Sequence, residues 1–170
     1  MPDGTGSRSS ASRRKDTRMS EIARIVEQLR QAHDGEAWHG PSVGEALEGV
    51  SAAGAALRPI ASAHCIWEIV HHVRLTDELV RRRVTGEPAT DEADWPPRTG
   101  AGEPAWRAAV DELKAAQRAL RDAVSKLPEA RLHENIPGKD HSYWYELVGI
   151  VNHDLYHAGQ ISLLKKARQP

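Results

Sequence analysis

The chain has 170 residues, a formal net charge of −1 at pH 7 and one cysteine, Cys65. That length supplies one domain with a core, and the near-neutral balance argues against a nucleic-acid or anionic-membrane surface. A lone cysteine excludes an internal disulfide framework and fits a reducing cytoplasm.

Phe is absent, Tyr occurs three times and Trp five times. Alanine is abundant and β-branched residues are not clustered, which leans all-helical. Met1 to Arg18 is rich in Ser, Gly and Arg and reads as a disordered tail. It is not a secretory signal, because no hydrophobic core follows its basic residues. No apolar run is long enough to span a bilayer. The remaining residues, 19–168, read as a single domain.

Ser20 is a good N-cap, and Ile22, Ile25, Val26 and Leu29 follow at helical spacing. This first helix should end near Asp34-Gly35. A turn-rich stretch follows, Glu36 to Ser42, and Val43 to Val50 can form a short helix before Arg58-Pro59 breaks the pattern. Ser62 to Arg83 forms the second long helix, with Ile66, Ile69, Val70, Val73 and Val80 as its core stripe; Gly86-Glu87-Pro88 ends it.

Residues 87–104 form a long acidic, Pro-rich loop that includes Asp94-Trp95-Pro96-Pro97. Its Trp95 is expected to pack over the bundle. Pro104 can occupy the first position of a third helix. Trp106, Val110, Leu113, Leu120, Val124 and Leu127 give that helix its apolar stripe, and Pro128 closes it. After a loop over 129–141, Ser142 caps a fourth helix that runs to about Ala167. Four long amphipathic helices around one core make a four-helix bundle, and the long connections do not require simple up-down topology.

The fourth helix carries His153 and His157, one turn apart on one face. Two imidazoles so placed can share one transition metal ion. Asp154 stands where the metalloprotease motif requires glutamate, so the spacing is kept and the protease is not. With nine histidines in the chain, the pair alone is weak, and a third ligand must come from elsewhere. The second helix offers His64, His71 and His72. At ~100° per residue His71 falls opposite the apolar stripe, whereas His72 lies on its border. His153 and His157 occupy the border of their own stripe, so His72, His153 and His157 form the candidate metal-ligand set.

Three stretches of this chain resemble the DinB-like superfamily, which includes YfiT-type metal-dependent hydrolases. They are Trp38-His39-Gly40-Pro41-Ser42, Ala63 through His72, and His153-Asp154-Leu155-Tyr156-His157-Ala158-Gly159-Gln160-Ile161. The resemblance implies a four-helix bundle of unusual connectivity, often homodimeric, with a zinc- or nickel-type ion on three histidines. The family's ligands map onto His72, His153 and His157, in agreement with the helical wheel. Where the family often has a tryptophan four residues after its helix-two histidine, this chain has Thr76.

Three neutral imidazoles leave positions open for water or substrate. Hydrolysis by an activated water is the first expectation. Glu68, one turn before His72, is a candidate general base or an acceptor for an imidazole N–H; Tyr156 and Gln160 are candidate donors to a substrate oxygen. Thiol transfer is the alternative, because an open metal position can bind thiolate instead. A non-enzymatic metal-binding module is the third reading. The substrate is an unidentified small molecule; neither nucleic acid nor membrane is expected as a partner. His64 is expected to support the loop holding Trp38, and Cys65 to be inert packing.

His71 and His72 point ~100° apart, so one ion cannot take both. His72→Ala should strip the metal, whereas His71→Ala should retain stoichiometric binding. Metal content per chain after dialysis checks this, with circular dichroism as the folding control.

Overall fold

The computed structural model describes residues 19–90 and 95–167; the expected N-terminal tail and Asp94 of the long loop lie outside them. Among the described residues the chain is all-helical. The helices are α1 Glu21–Asp34, α2 Val43–Leu47, α3 Ala52–Ala56, α4 Ile66–Thr85, α5 Gly102–Ser125 and α6 Tyr143–Lys166, with a 3₁₀ turn at Glu129–His133.

Side-chain caps set most of the helix starts. Ser20 Oγ accepts from the Ala23 N–H at 3.1 Å, and Ser142 Oγ accepts from the Tyr145 N–H at 3.2 Å. Ser42 and Glu45 exchange bonds as a capping box ahead of α2. The second long helix starts at Ile66 rather than Ser62. Cys65 is its N-cap, and the Glu68 carboxylate reaches back to the Cys65 N–H at 3.0 Å. Gly86 closes that helix in the left-handed region, φ 77°. α5 starts two residues before Pro104, which still falls in the first turn, where no backbone N–H is needed. The Ala52–Ala56 helix is an addition that the small, weakly patterned sequence did not reveal.

Paired residues give the helix directions. Trp67 packs on Trp106 with ring centroids 5.2 Å apart, and Arg74 faces Glu112 at 3.7 Å, so α4 and α5 run parallel. His72 meets His153 and Arg83 meets Glu146, so α4 and α6 run antiparallel. Glu21 bonds Trp144 and His33 bonds Asp154, which makes α1 parallel to α6. α1 packs on α5 and α6, and α4 packs on the same two helices. The long helices therefore form the ring α1–α5–α4–α6, two running up and two running down. Because α4 and α5 are consecutive and parallel, the connection between them must return along the molecule, which is why it is long.

The apolar core is in two parts. One gathers residues of α2, α3 and adjoining halves of α4, α5 and α6, among them Trp67, Trp106 and Ile161. The other gathers α1 and the opposite halves, among them Leu29, Leu120 and Leu147. Between them each long helix contributes a buried polar side chain: His33, Asp77, Gln117 and Asp154.

Leu147 has no solvent exposure and sits in the α1-side core. Leu147→Ala should cost about 2–5 kcal/mol, whereas Leu57→Ala, at a half-exposed side chain, should stay within about 0.5 kcal/mol. Chemical denaturation of both variants checks the pair.

Candidate metal centre

His72 of α4 and His153 of α6 face each other with their Nε2 atoms 2.9 Å apart. His157 completes the group, its ring centroid 4.8 Å from that of His72 and 4.5 Å from that of His153. One ring nitrogen from each lies within 4.8 Å of the other two. The structure thus brings together the three residues singled out from the sequence.

The bonds behind these rings orient them. Gln160 Oε1 lies 2.7 Å from His157 Nδ1. An oxygen only accepts, so Nδ1 carries the hydrogen and Nε2 keeps its lone pair. Asp154 Oδ1 stands 3.1 Å from His153 Nδ1 and fixes that ring in the same tautomer. Burial, followed by the neighbouring His153, pushes the His157 imidazole down to about 4. It is neutral at pH 7, the form that ligates a metal.

Asp154 is fully buried. Its Oδ2 accepts from His33 Nε2 at 2.7 Å. Arg121 Nη1 lies 2.9 Å from His33 Nδ1. A guanidinium only donates, so His33 accepts from Arg121 at Nδ1 and donates to Asp154 at Nε2. Burial alone would raise the Asp154 carboxyl, but the bonds from His153 and His33 hold it below the usual range, so it stays ionised. Asp77 is the reverse case. Neither of its oxygens meets an N–H or hydroxyl donor. Burial, then the charge of Asp154 and a hydrogen bond to it, push Asp77 well above its ordinary value. Asp77 therefore keeps its proton and donates it to Asp154. His33, Asp77 and Asp154 also lie close enough together to share an ion, but His33 and His153 already meet both oxygens of Asp154.

Trp95 covers the histidines. Its ring stacks on His64 with centroids 3.6 Å apart and on His72 at 4.2 Å, and meets His157 edge-on at 6.0 Å. The expectation that Trp95 packs over the bundle was too general, because it packs on the imidazoles of the candidate site themselves. His64 accordingly supports Trp95 and not the loop of Trp38, whose side chain is almost fully exposed.

The Glu68 carboxylate faces Arg58, His64 and the Cys65 N–H. These contacts hold it below the usual carboxylate range against its partial burial. Tyr156 is 65% exposed beside the His157 ring. His71 is buried, contrary to its place opposite the apolar stripe. α5 covers that side of α4, and His71 Nε2 accepts from Trp67 Nε1 at 3.0 Å. Cys65 is buried at the helix start.

The sequence reading of Asp154 went no further than its place in the His-x-x-x-His segment, and it missed His33, Asp77, Gln117 and Arg121. A signal was present. Asp77 lies between Val73 and Val80, Gln117 between Leu113 and Leu120, and Asp154 between Val151 and Ala158. Each is a polar residue on a core repeat, which demands a buried partner.

The raised Asp77 has a defined sign. The folded chain holds a proton that the unfolded chain releases above about pH 4, so this contribution to stability is lost as pH rises towards the folded value. A side-chain amide in place of this carboxyl would donate to Asp154 without a proton to lose. Asp77→Asn should melt higher than the parent at pH 8, with the advantage shrinking towards pH 4; thermal melts across that range check it.

The family model described as the DinB superfamily matches residues 38–161. No curated protein and no solved structure matches the chain. The matched span runs from Trp38 to Ile161 and takes in His72, His153, His157, the Gln160 that orients His157 and the Asp154 that orients His153. This chain belongs to the DinB superfamily.

Proposed function

We propose that this protein is a metal-dependent hydrolase whose ion is held by His72, His153 and His157. The observation that carries the reading is the convergence of three imidazoles, two of them with Nδ1 turned to an oxygen acceptor. That donor set suits a borderline cation such as zinc or nickel. A divalent ion there supplies Lewis acidity that makes water nucleophilic near neutral pH.

The chain's own residues supply orientation and access. Gln160 and Asp154 fix the tautomers of His157 and His153, and the Arg121–His33 pair holds Asp154 in place. Trp95 excludes water from one side of the imidazoles. Tyr156 would donate to a substrate oxygen, a role supported by its exposure beside the His157 ring. Glu68 acts on the site at one remove, by holding His64 beneath Trp95.

Metal-stripped protein should be inactive on small esters, amides and lactones, and zinc or nickel should restore turnover. Gln160→Ala should weaken metal binding about 10–100-fold. Turnover that survives chelation overturns the hydrolase reading. Turnover that appears only after a low-molecular-weight thiol is added moves the chain to thiol transfer at the same site.

A further inference from the structure

A cavity of ≈ 240 Å³ opens beside His153 in the seam between α4 and α6. Thr76, Leu79 and Val80 wall it on α4; Tyr145, Gly149 and Ile150 wall it on α6. It leads away from the three histidines towards Arg83 and Glu146, seven residues back along α6 from His153, or about 10 Å at 1.5 Å per residue. Trp95 lies over the other side of the imidazoles, so this seam is a second approach to the same centre.

Two features show what such a seam suits. The charges at its far end are satisfied internally: Arg83 Nη1 meets Glu146 Oε1 at 3.0 Å, and His141 Nε2 meets Glu146 Oε2 at 2.8 Å. They therefore call for no charged ligand. The second feature is Gly149. It sits in the middle of α6 without a left-handed φ, and a Cβ there would meet nothing within 4 Å. Glycine weakens a helix interior relative to alanine, and neither backbone geometry nor packing requires it here. What its missing side chain provides is space, one turn before His153 on the same helix face. Gly159 is equally open but does not line this cavity.

We propose that this seam binds the uncharged, apolar portion of the substrate, a medium-length alkyl or acyl group, with the reacting bond held at the His153 end. At ~30 Å³ per water-sized group the cavity admits about eight such groups. The proposal rests on the hydrolase reading for the identity of the reacting bond, but occupancy of the seam can be measured without turnover.

The test titrates octanamide and acetamide into metal-loaded protein and follows the methyl resonances of Leu79, Val80 and Ile150 by NMR, with metal content measured in parallel. Octanamide should shift these methyls and bind at least ~10-fold tighter than acetamide, since each methylene removed from water favours binding. Gly149→Leu, and Thr76→Leu on the facing wall, should abolish that preference while leaving metal content unchanged; Gly149→Ala serves as the folding control. Equal binding of the two amides, or an octanamide preference that survives both substitutions, overturns the proposal. If Gly149→Leu changes the oligomeric state while octanamide leaves the parent's methyls unmoved, the seam is a face between copies of the chain and the proposal fails. Absent metal with octanamide shifts intact would instead remove the hydrolase reading and leave the seam standing.

Discussion

Asp154 is a negative charge with no access to water, held at the centre of the helix ring. An unpaired buried carboxylate would be strongly destabilising, and in practice would take up a proton. Here donors from three helices keep it ionised: His33 from α1, Asp77 from α4 and His153 from α6 itself, with Arg121 of α5 behind His33. Every long helix must be in register for that set to close. The same carboxylate that demands the set also aims His153 at His72. Core specificity and the geometry of the three imidazoles therefore share one atom group, and a substitution within the layer acts on both.

The polar layer explains why the fold was more legible than the site. The all-helical class follows from stripes at 3.6-residue spacing, and the His-x-x-x-His pair follows from the same periodicity. His72 could be separated from His71 by angle alone. That argument picked the histidine that meets His153 and His157 but failed for the rest of α4, because a wheel assigns one inside face, whereas α4 packs on both α5 and α6. His71 is buried by the second neighbour. Apart from the adjacent His153, the partners of Asp154 lie far from it in sequence, His33 by 121 positions, and no local spacing connects them. Their only trace is a polar residue where a stripe calls for an apolar one.

The parallel pairing of α4 and α5 has a similar reach. The chain leaves α4 at Gly86 and must return to the level of Trp67 before α5 can begin at Gly102. That return places Trp95 against His64 and His72, and Arg98 over the Trp67 ring at 5.3 Å. The cover of the three imidazoles is thus a consequence of topology. An up-down bundle with a tight α4–α5 turn would have no segment to lay there. Glu68 belongs to the same arrangement: by capping α4 and binding His64, it joins the start of the helix to the indole above the imidazoles.

In this ring no two consecutive long helices pack as an antiparallel hairpin. α1 and α4 lie across a diagonal, α4 and α5 are parallel, and α5 and α6 lie across the other diagonal. A nascent chain therefore has no antiparallel hairpin of long helices to serve as an early nucleus, and it must close long loops before the pairing of its long helices is complete. Folding should be slow for an all-helical protein of this size. Closure waits on α6, which carries two of the three imidazoles and packs on α1, α2 and α4. Before α6 docks, His72 and the faces of α1 and α4 that it covers stand exposed, and that apolar surface is open to misassembly.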